Sequence, residues 1–257
     1  MAKTALITGS TSGIGLATAK AFAAKGYNIV FNGLEENGAA IAADVAKEFN
    51  VGYIFSPANM LHPEEIRNLA KEALDKFGSV EVLINNAGIQ FVSPIEDFPE
   101  EKWDAIIAIN LTAAFHLTKA ILPSMKAKKF GRVVNVSSAH GLIASPFKSA
   151  YVAAKHGIIG FTKVLALEGG AFGITANAIC PGYVHTPIVD KQIPDQMKAH
   201  NMTREEVINE VFLAEHAIKE FISVDTIAQT ILYLADSDAA ATITGIAMPL
   251  DAGWTAH

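Results

Sequence analysis

Cysteine is almost missing from this chain: the 257 residues contain one, Cys180, inside an apolar run. A single thiol excludes an internal disulfide framework, and in that setting it reads as a small core residue. Positive charge is also scarce. Lys and Arg total 20 against 26 Asp and Glu, a formal charge of −6 with a pI near 5.7, which argues against nucleic acid or an anionic membrane as partner. No apolar span of about 18 residues is present. Met1-Ala2-Lys3-Thr4 leads straight into a strand pattern and not into a signal peptide. Both points suit a cytoplasmic protein. The eight histidines show no HxxxH spacing, so no catalytic metal is expected. No linker, repeat or low-complexity run breaks the chain, and residues 1–257 are expected to form one domain.

What is present is apolar and periodic. Hydrophobic residues make up 51 % of the chain and charged ones 18 %, with a mean hydropathy of +0.29. Short apolar runs alternate with helical patterns, which predicts an α/β fold with a parallel sheet. Thr4-Ala-Leu-Ile-Thr8 reads as a strand, followed by the glycine-rich turn Thr8-Gly9-Ser10-Thr11-Ser12-Gly13-Ile14-Gly15 and an alanine-rich helix. Glycines there let backbone approach a pyrophosphate, and the helix N-terminus offers free N–H groups and positive potential. Further strands are expected at 28–31, 51–55, 81–84, 132–136, 174–180 and near 246–248, with helices at 63–77, 100–126, 150–168 and 224–236. The stretch 188–221 leaves this rhythm, and its mixed, partly amphipathic character suits a helical lid over a substrate site.

The densest chemistry lies in Asn135–Lys155. Tyr151 and Lys155 are four apart and share one helix face. A phenol titrates near pH ~10, and a nearby ammonium favours the phenolate, making a usable proton donor and acceptor. Ser138 follows a buried-strand pattern and can return to face the tyrosine. Together these residues make a proton-transfer site.

The glycine-rich turn, Asn85-Asn86-Ala87-Gly88 after the fourth strand, Pro181-Gly182 after the sixth and Tyr151-Val-Ala-Ala-Lys155 occur in this order over essentially the whole chain. The combination resembles the short-chain dehydrogenase/reductase family. That resemblance implies a single Rossmann-type doubly wound sheet of about seven parallel strands flanked by helices. It implies catalysis by Asn110, Ser138, Tyr151 and Lys155, with Asn110 holding a water in a proton relay, and a tetramer built through helices near 100–126 and 150–170. It also implies a nicotinamide cofactor on Gly9, Thr11, Gly13, Ile14, Gly15, Gly33, Leu34, Asn59, Met60, Asn86, Ala87, Gly88, Tyr151, Lys155, Pro181, Gly182, Val184 and Thr186. The asparagines after the fourth strand suit strand-tying as well as cofactor contact.

Two positions depart from the family pattern. An acid often holds the adenosine ribose where this chain has Gly33, and an Asp often accepts from adenine where this chain has Asn59. An amide oxygen still accepts, without charge assistance. No Lys or Arg stands in 32–38 for a 2′-phosphate, while Glu35 and Glu36 either repel one or serve as first-turn helix acids. NAD is the expected cofactor.

For the substrate, Gln90, His140, Lys148, Gln192 and Trp254 fall where this family builds its pocket. One cation among neutral donors suits a small carboxylate. The set is similar to that of family members acting on short 3-hydroxy acids. The expected reaction is reversible oxidation of (R)-3-hydroxybutyrate to acetoacetate. A 3-oxoacyl or acetoacetyl-thioester reductase is the alternative, and a cofactor-sensing regulatory relative is the non-enzymatic one.

Overall fold

Seven of the apolar runs pair side by side because a strand buried on both faces needs apolar side chains at every position. The computed structural model describes residues 2–185, 189, 193, 194, 196–198 and 201–256. Its strands are β1 (Thr4–Ile7), β2 (Asn28–Asn32), β3 (Tyr53–Ser56), β4 (Val82–Asn85), β5 (Gly131–Val136), β6 (Ile174–Pro181) and β7 (Ala247–Leu250). They form one parallel sheet in the order β3-β2-β1-β4-β5-β6-β7. The order reverses between β1 and β4, and the crevice beyond the carboxyl ends of such a pair is where α/β sheets bind ligands.

The helices are α1 (Gly13–Ala24), α2 (Gly38–Phe49), α3 (Pro63–Phe77), α4 (Glu100–Ile107), α5 (Ala113–Lys128), α6 (Ser149–Gly169) and α7 (Val224–Asp236). They cover both faces, as strand alternation requires. Ala5 and Ile7 of β1 pack in a core with Phe22 of α1 and Ile227 and Ile231 of α7. Leu6, between them, packs on the opposite side with Ile66 and Leu69 of α3 and Leu117 and Ile121 of α5. Each such buried aliphatic or aromatic side chain stabilises the fold by about 1.5–3 kcal/mol. Local signals agree with this packing: α3 starts on Pro63, carries Glu64 and Glu65 in its first turn and stops at Gly78, whose φ of 76° is left-handed.

Two expectations change. The helix expected over 100–126 is not uniform, because α4 and α5 are joined by a π-helical turn, Ala108–Thr112, with Asn110 buried at its centre. Such turns displace one backbone register and gather at functional sites. The second concerns apolar length. A window within Glu100–Lys128 has a mean hydropathy of 1.6, long and apolar enough to cross a membrane by length and composition. The expectation of no such span therefore holds only for uninterrupted runs. In the fold, Leu117, Ile121 and Met125 of this helix lie buried in the core shared with Leu83 of β4 and Val133 of β5.

Beyond β6 the chain builds a separate small core from Val189, Ile193, Val207, Phe212 and Leu213. Thr203 and Glu206 form a reciprocal capping box that starts the turn Arg204–Glu206, which continues as a π-helix over Val207–Phe212. Thr186 and Gln192 lie outside the described residues.

Candidate active site

The carboxyl ends of β1, β4 and β5 open onto the glycine-rich turn. Gly9 and Gly13 adopt left-handed φ of 60° and 50°. A Cβ on Gly15 would stand 2.1 Å from the Gly9 carbonyl oxygen, so only glycine permits this crossing. Asn86 locks the turn: its Nδ2 donates to the carbonyls of Thr8 (2.8 Å) and Gly9 (3.0 Å), while the N–H groups of Asn86 and Ala87 donate to Thr8 Oγ1. Asn85 Nδ2 donates to Asn135 Oδ1 at 2.7 Å, and Asn135 Nδ2 to Thr162 Oγ1 at 2.8 Å. Of the two roles left open for these asparagines, strand-tying is the one observed. Ser12 starts α1 without capping its N–H groups; its hydroxyl donates instead to Glu35. The first turn of α1 thus keeps its N–H groups for an anion, and a dinucleotide pyrophosphate fits this cradle.

The other expected cofactor positions surround it. Leu34 is exposed beside β2, Met60 is buried under the sheet, and Val184 bridges to Ile222 just beyond Pro181 and Gly182. Asn59 Oδ1 accepts from the Leu61 N–H at 3.0 Å, an Asx turn that occupies part of its acceptor capacity.

Ser138 follows β5, its Oγ accepting from the His140 N–H at 3.2 Å. The same hydroxyl faces the Tyr151 phenol. Tyr151 lies in the first turn of α6, and Lys155 follows one turn on. Lys155 is 4 % exposed; its Nζ donates to the Val136 carbonyl at 2.8 Å and lies 5.5 Å from the Tyr151 ring centre. Burial pushes the Lys155 ammonium down to about 8. Burial pushes the Tyr151 phenol up, with the Ser138 hydrogen bond opposing. The expected lowering of the tyrosine by the lysine is therefore not what dominates here, since the ammonium lies over the ring and spends a proton on Val136. Asn110 holds the loop after β4: Oδ1 accepts from the Ile89 N–H (2.8 Å) and Nδ2 donates to the Ile89 carbonyl (2.9 Å). A Cβ on Gly88 would lie 3.4 Å from Asn110 Oδ1 and 3.6 Å from Lys155 Nζ, so the glycine marks where the two approach each other. A cavity of about 10 Å³ lined by Thr8, Asn85, Ala87, Asn110 and Val136 adjoins them, room for about one water.

His140, Lys148 and Trp254 come together on the same side. His140 Nε2 lies 2.9 Å from Ser145 Oγ and 3.5 Å from Lys148 Nζ. Its ring meets Trp254 edge-on at 5.1 Å and Tyr151 at 6.1 Å. Lys148 Nζ stands 5.9 Å over the ring of Tyr183, which stacks on Trp254 at 5.4 Å. Phe147, just before the lysine, holds a left-handed φ of 67°, an outlier for a bulky residue, and its carbonyl accepts from the Ser93 N–H. Gln90 is exposed on that loop and does not join the cluster. Sequence reasoning missed Tyr183, Ser145 and His216. Tyr183 carried a signal, an aromatic directly after Pro181-Gly182. His216 had none; it is buried, with Nε2 accepting from the Tyr183 N–H and Nδ1 near the Glu220 carbonyl.

Burial, aided by the Lys148 charge, pushes His140 down to about 4. Between the ordinary histidine value near 6.5 and that value, the unfolded chain binds the proton and the folded one does not. Stability therefore falls as pH drops through this window, by about 2 kcal/mol at pH 4.5. Denaturant titrations at pH 7 and 4.5 should show that loss, reduced by roughly this amount in His140→Gln. An equal acid loss in the variant removes His140 as its source.

A family model described as short chain dehydrogenase matches residues 3–197. The chain is 53 % identical to a D-beta-hydroxybutyrate dehydrogenase of Rhizobium meliloti, with 100 % of both chains covered. It is 50 % identical to a protein of the same name from Cupriavidus necator, over 99 % of this chain and 98 % of that one. Identity to a 3-oxoacyl-(acyl-carrier-protein) reductase of Synechocystis is 37 %, over 98 % of this chain and 96 % of the other.

Proposed function

The chain belongs to the short chain dehydrogenase family, and from that membership we propose that it oxidises (R)-3-hydroxybutyrate reversibly to acetoacetate with NAD+. One observation carries the substrate: Lys148 is a largely buried cation, and among the described residues no carboxylate pairs with it. A buried charge without a counter-charge is costly unless a ligand supplies one. A substrate carboxylate does, with Ser145 and His140 beside it. The names of the two relatives at 53 % and 50 % identity agree with this reading.

The proposed mechanism uses the geometry described. Ser138 and Tyr151 hydrogen-bond the hydroxyl oxygen, and Tyr151 takes its proton as the hydride departs. A bound nicotinamide would supply the acceptor for that hydride. Lys155 holds the ribose beside the tyrosine, and Asn110, with a water in the adjoining cavity, returns the proton toward solvent. Gly9, Gly13 and Gly15 carry the pyrophosphate. Tyr183 and Trp254 wall the small apolar end; the 188–221 segment serves as its lid, Gln192 as a substrate ligand and Thr186 as a cofactor ligand. Gln90 joins the carboxylate ligands only when its loop moves inward. Residues 1–257 act as one domain, in the cytoplasm, where a lone buried thiol stays reduced; cell fractionation checks the compartment.

The assembly proposed is a homotetramer. Phe115 on α5 and Val164 and Leu167 on α6 are exposed, Leu167 by 85 %, and Phe115 meets Phe161 across the two helices. Apolar side chains clustered on neighbouring helices suit burial against a second copy. Light scattering at the mass of one 27.3 kDa chain would remove the assembly.

The test of function follows NADH appearance with (R)-3-hydroxybutyrate, its (S) enantiomer and its CoA thioester. The (R) free acid should give the highest kcat/KM. A thioester reaction that matches it, driven by NADP(H), replaces this reading with the reductase.

A further inference from the structure

The missing ribose acid after β2 is missing only in sequence. A Cβ on Gly33 would lie 2.1 Å from Thr11 Oγ1 and 2.6 Å from Glu35 Oε2. The volume an aspartate side chain would take at Gly33 is thus already occupied, in part by a carboxylate two residues further on. Thr11 Oγ1 donates to Glu35 Oε2, and Ser12 Oγ donates to Oε1 at 3.0 Å. The turn that supplies these hydroxyls is itself tied to the end of β2. The Ser10 N–H donates to the Asn32 carbonyl at 2.7 Å, and the Asn32 N–H to Ser10 Oγ at 3.0 Å. Glu35 is therefore clamped across the β1–α1 turn, while Glu36 beside it is exposed and has no such partner.

We infer that Glu35 is the cofactor-selecting residue of this chain, accepting the adenosine ribose hydroxyls of NAD+ and repelling the 2′-phosphate of NADP+. The inference rests on the NAD reading above and goes beyond it by assigning the group responsible. Each carboxylate oxygen accepts one hydroxyl from the turn and retains a lone pair for a ribose hydroxyl. No lysine or arginine pairs with Glu35 among the described residues, so its charge faces an incoming phosphate unneutralised. Although burial favours its neutral form, the Thr11 and Ser12 hydroxyls outweigh that and hold its carboxyl below the usual range, ionised at neutral pH. Gly33 is then the permissive half of the device, since any side chain there would displace either Thr11 or the carboxylate.

Direct binding tests this without turnover. Fluorescence titration with NADH and NADPH, and calorimetry with 5′-AMP and 2′,5′-ADP, would be run on the wild type, Glu35→Gln, Glu36→Gln and Thr11→Val. Glu35→Gln should weaken NADH about fivefold and tighten NADPH about fivefold, for the lost charge-assisted bond and the lost repulsion. The NADH-to-NADPH preference then falls roughly 25-fold, with the two adenine nucleotides moving in the same directions. Thr11→Val, which frees one side of the clamp, should move the preference the same way by a smaller factor. Glu36→Gln should leave it within about threefold. An unchanged preference in Glu35→Gln, or an equal shift in Glu36→Gln, overturns the assignment while leaving the NAD reading intact. A wild-type protein that binds NADPH more tightly than NADH overturns the NAD reading itself.

Discussion

Tyr151→Phe should lower turnover about 10³-fold while NADH binding stays within a few-fold of wild type. The substitution deletes one hydroxyl and keeps the ring that meets His140 at 6.1 Å, so the pocket wall survives. Among the described residues only two hydroxyls face each other at this point, Ser138 and Tyr151, and only the phenol has an ammonium close to its ring. Positioned proton transfer contributes typically ~10²–10⁴-fold, and Ser138 cannot take over as acceptor because its proton would have no path to Lys155. The loss should appear in kcat and kcat/KM alike, the mark of an interaction made in the transition state. Stopped-flow measurement of the hydride step, with NADH titration beside it, separates the two terms. Wild-type turnover in the variant ends the proton-transfer assignment.

Lys148→Ala should lower kcat/KM for (R)-3-hydroxybutyrate by roughly 30- to 150-fold, mainly through KM. The contact to a substrate carboxylate is as strong in the ground state as in the transition state, and losing a charged hydrogen bond of this kind costs on the order of 2–3 kcal/mol. Burial lowers the Lys148 value from that of a free lysine, yet among the described residues no carboxylate pairs with it. The methyl ester of the substrate should lose a comparable factor on the wild type. Combining ester and variant should add little, because each alteration removes the same pair. Additive losses, or an ester equal to the free acid, would sink the carboxylate pocket.

The sheet was readable because its inner strands are buried on both faces. Thr4–Ile7, Asn28–Asn32 and Gly131–Val136 are short, mostly apolar runs between glycine-rich or polar turns. The helix expected over 63–77 coincides with α3, which starts on Pro63 and stops before Gly78. The pair Tyr151 and Lys155 was readable as well, because helical spacing alone puts them on one face.

What the linear chain left undetermined depends on groups far apart in sequence. Asn110 takes its expected role from the family resemblance and not from its place in a long helix; only the fold shows a π-helical turn bringing its amide to the Ile89 backbone. Tyr183 stacks on Trp254 with His216 tilted against both because β6, the segment after it and the C-terminal turn converge, and no local pattern encodes that meeting. The balance of effects on Tyr151 was also decided by the fold, since burial acts through the whole surroundings while a charge acts through one distance. Glu35 makes the distinction clearest. In sequence the acid beside the ribose site is two residues out of place. Its long side chain and the lack of a side chain on Gly33 let it reach back to Thr11 and Ser12. Composition, periodicity and spacing determined the strands, most of the helices and the placing of Tyr151 and Lys155 on one helix face, because those follow from neighbours along the chain. Charge placement and pocket walls were decided by the tertiary structure, because hydrogen bonds and burial depend on distance in space.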